Sequence, residues 1–183
     1  MEKVENTGVE NHELADVFNI IASSLLRSFV CCFSIEPTNH LLWAHYSNSH
    51  KGFCIRFNKE VLLKDLSPQY DGDVNYINKP IEVMHTITKD LNPAKDIIFC
   101  KSDVWSYERE YRLIHRDMAD NNDDLFRVCN YSDDAIDCIF MGLKSTDDDL
   151  DLLKKTLSGK SVFYKRIVRS RLNYDLVVDA GRL

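Results

Sequence analysis

Apolar positions along the chain follow two periods. Leu14, Val17, Phe18, Ile21 and Leu25 recur at helical spacing. They predict a helix over Asn11–Arg27, with Asn11 as N-cap and Glu13 in its first turn. Ser28–Ser34 (SFVCCFS) is a continuous apolar run that reads as a short buried strand. After Glu36-Pro37-Thr38-Asn39, a turn or a helix start, the aromatic-rich stretch Asn39–Tyr46 allows one or two helical turns. Gly52–Asn58 alternates Phe53, Ile55 and Phe57 with Cys54 and Arg56, the pattern of a strand entered through a bend at Gly52.

Lys59–Leu66 suggests a short helix, followed by a loop carrying Pro68 and Asp71-Gly72. Val74–Ile77 reads as a strand ended before Pro80. Residues 81–91 fit neither period, and Asp96–Lys101 holds an apolar stretch. Glu108–His115 alternates and reads as a strand; residues 117–126 read as an acidic turn. Ala135–Met141 is a strong strand closed by Gly142. In the helix predicted at Thr146–Leu157, Thr146 is the cap, three aspartates sit in the first turn, and Lys154 and Lys155 lie near the end. Ser161–Val168 and Leu172–Val178 complete the set as strands. The order predicts an α+β fold. A loose segment 1–10 would precede a single domain over 11–183, with a mixed, largely antiparallel β-sheet flanked by helices.

At 183 residues and 44% hydrophobic content the chain can bury a core. Six glycines and four prolines exclude collagen-like or Pro/Gly-rich sequence. A net charge of -6 argues against nucleic acid as the sole ligand. The charge is uneven: residues 117–151 carry eleven aspartates against Arg127 and Lys144, while residues 152–183 carry eight Lys or Arg against two aspartates. These segments could pack on each other or offer surfaces to a partner. No apolar run spans a bilayer, and MEKVENTGVENHEL is polar rather than a signal sequence, so a cytoplasmic, non-membrane protein is expected. Six cysteines occur without a CxxC and read as buried small hydrophobes.

Two segments concentrate the chemistry. In LLWAHYSNSHKGFCIRF, Trp43, His45, Tyr46, His50 and Lys51 precede a strand. They could wall a ligand pocket or serve as core plugs and loop caps. The five-residue separation of the histidines is not that of a helical zinc pair, so no metal is expected. In KSDVWSYEREYRLIH, Glu108, Glu110 and Arg112 would share one strand face behind Trp105 and Tyr107. They form either a solvated ion-pair ladder or a binding or catalytic carboxylate held by an arginine.

These segments resemble a bacterial domain-of-unknown-function family, DUF2971, whose members carry phrases close to LLMWSHYADSHKGFCIEF and K…W.YE.EYR.I. IDCIFMGLKST and SVFYKRIV extend the resemblance over about residues 29–178. Members also begin with a YKY-type strand and an NDPFE-type loop that are missing here. The resemblance thus implies either a shortened member or an upstream part that lies elsewhere; in the second case an upstream segment or a protein partner would complete the site. The layout is remotely similar to ADP-ribosyltransferase-type domains. By that analogy Glu110 or Glu108 would be the catalytic carboxylate, with Trp43, His45, Tyr46, His50, Lys51, Trp105 and Arg112 binding substrate. The resemblance fixes no cofactor, and NAD would enter as a substrate. Two functions follow: a non-catalytic module binding a protein or nucleotide in a defence or regulatory setting, or an NAD-dependent or nucleotide-processing enzyme.

Overall fold

The computed structural model describes residues 11–81, 93–117, 125–181 and 183. In chain order the elements are α1 (Asn11–Leu26), β1 (Ser28–Ser34), α2 (His40–Tyr46), β2 (Phe53–Phe57), α3 (Lys59–Leu66), β3 (Tyr70–Asp73) and β4 (Asn75–Ile77). There follow α4 (Pro93–Ile98), β5 (Cys100–Ser102), a 3-10 turn (Asp103–Glu108) and β6 (Glu110–Arg116). A second 3-10 turn (Asp133–Ala135) leads into β7 (Ile136–Met141), α5 (Asp147–Thr156), β8 (Phe163–Arg169) and β9 (Leu176–Val178).

The fold is α+β, and its strands divide between two main sheets. The first runs β1-β6-β3, with both pairings antiparallel. The second runs β2-β7-β8-β9, antiparallel at both edges and parallel between β7 and β8. β4 and β5 form a separate parallel pair.

The apolar run of β7 explains its central place, because both of its faces are covered. Cys138 and Phe140 meet Trp43 of α2 together with Ile167 and Leu176. Ile139 and Met141 meet Leu150 of α5 and Tyr164. Ile167 and Phe140 are 0% and 1% exposed, each worth about 1.5–3 kcal/mol of transfer free energy. A third cluster joins Leu62 of α3 to Leu113 and Ala135. α5 starts at a complete capping box in which Thr146 and Asp149 bond reciprocally.

Several expectations need correction. β1 is not buried: it is an edge strand, and Cys31 and Cys32 are exposed. Among the six thiols only Cys138 is buried, although Cys54 packs against its cluster. Asp71-Gly72 lies in β3, because pairing with β6 overrides a turn-like composition. β9 begins at Leu176, and Leu172 and Tyr174 stand in the exposed connection before it. The chain does bend at Gly52, but the left-handed conformation of the turn before β2 falls on Asn48, Ser49 and His50, with φ of 49°, 56° and 71°. The acidic and basic segments do meet, through Arg166–Asp147 at 2.9 Å and Lys160–Asp133. Residues 1–10 and 82–91, and 118–124 of the acidic turn, lie outside the described residues. Among the described residues no helix is long and apolar enough to cross a membrane.

Candidate functional site

The first segment is organised by Asn39. Its side-chain oxygen accepts from the amides of Leu41 and Leu42 at 2.9 and 3.3 Å, capping α2. Its amide nitrogen donates to the Tyr107 carbonyl at 2.7 Å, tying α2 to the 3-10 turn. Trp43 is buried and donates its indole N–H to the Pro37 carbonyl at 2.7 Å. One turn further on, Tyr46 donates its hydroxyl to Glu108 Oε1 at 3.0 Å. The two sequence segments therefore touch.

The second segment differs from a plain strand. Glu108 ends the 3-10 turn, Arg109 adopts a left-handed conformation (φ 46°), and β6 begins at Glu110. Only Glu110 and Arg112 share a strand face; Glu108 is delivered beside them by the turn. The Ser34 hydroxyl fixes that turn by donating to the Glu108 carbonyl at 2.8 Å. The two carboxylates are 2% and 8% exposed, so the open-water ladder does not form.

Lys101 of β5 resolves the burial of these charges by bridging Glu108 Oε2 and Glu110 Oε1. Arg112 Nε donates to Glu110 Oε2 at 2.7 Å, and its Nη1 donates to the Ile98 carbonyl. The Tyr76 hydroxyl accepts the Glu110 amide at 2.8 Å. Burial alone would raise the Glu110 carboxyl, but the bonds from Arg112 and Lys101 outweigh it and bring it down to about 2. Burial likewise opposes the Lys101 charge, yet the hydrogen bonds to Glu108 and Glu110 hold the ammonium well above the ordinary lysine range. The bond to Glu108 raises the Tyr46 phenol.

Above this polar floor lies a cavity of about 880 Å3. It sits between β1 and β2, edge strands of the two sheets, with Phe33, Ile35, Phe53, Ile55 and Phe57 on its walls. Trp43, Tyr46, Glu108, Glu110 and Arg112 line it, so five of the nine expected site residues converge there. The other four do not line it. His45 is exposed, with its ring 6.4 Å from that of Tyr46, and Lys51 is exposed. His50 faces away toward His40, ring to ring at 6.1 Å. Trp105 lies outside, with the Lys101 ammonium 5.1 Å from its ring centre.

Sequence reasoning missed Lys101 and Tyr76. A signal for Lys101 existed: two buried carboxylates need more cation than Arg112 supplies, and Lys101 opens the second segment. Among the described residues no group of three or more His, Cys, Asp or Glu could hold a metal ion. Two carboxylates against two cations leave the floor close to neutral. It offers fixed hydrogen-bond acceptors and donors, with the Glu110 carboxyl held low by Arg112 and Lys101.

No curated protein and no solved structure matches the chain. The family match is narrower than the resemblance over 29–178, yet it contains most of α2 and the carboxylate cluster: residues 42–113 match the family model DUF2971, described as a protein of unknown function.

Proposed function

We propose that this chain is a non-catalytic binding module whose cleft takes a small ligand with an apolar ring and hydroxyl groups, a nucleoside or nucleotide. One observation carries the reading: both buried carboxylates are already neutralised within the protein, by Lys101 and Arg112. Such a floor can accept hydrogen bonds from sugar hydroxyls while the Phe33 and Phe57 side of the cleft takes a ring. ADP-ribosyl transfer would instead call for a carboxylate free to oppose an oxocarbenium charge. Glu108 gives one oxygen to Tyr46 and the other to Lys101, which blunts that role.

Isothermal titration with adenosine, ADP-ribose and NAD tests this, with mass spectrometry of NAD in the same samples. Saturable binding of at least one of them is expected, weakened tenfold or more by Glu108→Gln, with NAD left intact. Release of nicotinamide by the wild type and not by Glu108→Gln would establish the enzymatic alternative. No binding of any of the three would overturn the nucleoside reading.

A further inference from the structure

His50 was expected in the cleft and is not there; it belongs to a different cluster. α2 brings His40, the turn before β2 brings His50, the loop after β7 brings Lys144, and the end of β8 brings Arg169. The cluster is fixed by backbone bonds. Lys144 donates its amide to the His50 carbonyl at 2.9 Å, and His50 donates its own to the Trp43 carbonyl at 3.1 Å. The His40 ring is anchored through Nε2 to the Tyr174 carbonyl at 2.7 Å, in the connection between β8 and β9.

Burial first, and then the charges of His40, Lys144 and Arg169, all of cationic type, lower the affinity of His50 for a proton. Among the described residues, neither Lys144 nor Arg169 makes an ion pair within 4.0 Å. Lys160 and Arg166 of the same basic segment as Arg169, by contrast, are paired with Asp133 and Asp147. His50 Nδ1 is buried without a hydrogen-bond partner, which leaves Nε2 as the ring atom able to serve a ligand. Like charges brought together from four elements, with no ion pair on Lys144 or Arg169 among the described residues, are a cost to the fold that a bound anion reduces.

We propose that His50, Lys144 and Arg169, with His40 beside them, form an anion site that takes a phosphate group. Lys144 supplies a point charge, Arg169 a planar fork of donors, and His50 a directed N–H, a combination suited to an oxyanion with several acceptor oxygens. The site is independent of the cleft reading, since none of its residues lines the cavity.

The test is a titration of the full chain with inorganic phosphate, and separately with glycerol phosphate, at constant ionic strength set by chloride. Imidazole NMR signals are the readout. Saturable shifts of the His50 and His40 rings are expected, with the apparent His50 pKa rising by about one unit in saturating phosphate. Lys144→Gln and Arg169→Gln should each weaken binding tenfold or more, while Lys155→Gln, an exposed charge on α5, should leave it unchanged. Tighter binding of glycerol phosphate would identify the natural ligand as a monoester, and tighter inorganic phosphate as the free ion. Two results would overturn the site: absence of saturation in the wild type, or equal loss in all three variants, which marks general charge attraction. Because Lys144 and Arg169 stand on different elements, failure of one variant to fold leaves the other decisive.

Discussion

Removing Lys101 should expose how the candidate site is held together. In Lys101→Met the stem is kept and the charge is lost. Glu110 retains Arg112, but Glu108, whose side chain is 3% exposed, keeps only the Tyr46 hydroxyl. Breaking a buried pair from one side costs about 3–5 kcal/mol, because an uncompensated charge stays behind. For a chain of this size that corresponds to a Tm lower by about 6–20 °C. Thermal and urea unfolding followed by circular dichroism at pH 7 measures it. Adding Glu108→Gln to Lys101→Met should recover at least half of the loss, since the stranded charge is then gone. A cost under about 1 kcal/mol for Lys101→Met, or no recovery in the double variant, would refute the view that Lys101 neutralises a buried carboxylate.

Other perturbations probe the frame around the site. A Cβ at Gly142 would stand 2.3 Å from the His50 carbonyl oxygen and 2.8 Å from that of Gly52, both backbone atoms that cannot step aside. Gly142→Ala should therefore destabilise by about 3 kcal/mol or more, and a urea midpoint within error of wild type would refute the contact. Thr146→Ala removes one half of the α5 capping box and should cost about 1 kcal/mol in the same assay. His115 and His50 both have imidazole pKa values lowered first by burial, with Arg127 adding to the effect at His115. The unfolded chain then binds protons first, near the ordinary histidine value of about 6.5, so stability should be full above that pH and fall as the pH drops toward 5. A Tm flat between pH 7.5 and 5, with His115→Asn behaving as wild type, would contradict this. Glu110 acts in a lower window: its contribution is present above about 4.5 and is lost as the pH falls toward about 2.

Much of the local structure could be read from spacing alone. The alternation in Phe53–Phe57, the apolar run of β7 and the cap-and-charge pattern of α5 each named their element, because one local period decided it. What depended on tertiary pairing could not be read. Asp71-Gly72 carries turn chemistry and becomes strand only because β6 lies alongside, and SFVCCFS looks like an interior strand yet lands on an edge. The site shows the same division. Trp43, Tyr46, Glu108, Glu110 and Arg112 drew notice as unusual types in short segments, and the fold gathers them. His50 was misplaced because three consecutive left-handed residues redirect the chain before β2, and non-glycine residues give no warning of that conformation. Lys101 was overlooked because an isolated lysine looks like surface until two carboxylates are found closing on it.

The side chain of Asn39 has one end on the first turn of α2 and the other on the carbonyl of Tyr107. Tyr46 and Glu108 are carried by those two pieces of chain, on opposite sides of that amide. The helix and the turn are thereby latched into a single mechanical unit, so a ligand that pushes on the aromatic rim also pulls on the acid at the bottom. Occupancy would then be reported through a side chain that does not line the cleft, acting beside the direct Tyr46–Glu108 bond, and Asn39→Ala would leave that bond as the remaining tie between rim and floor.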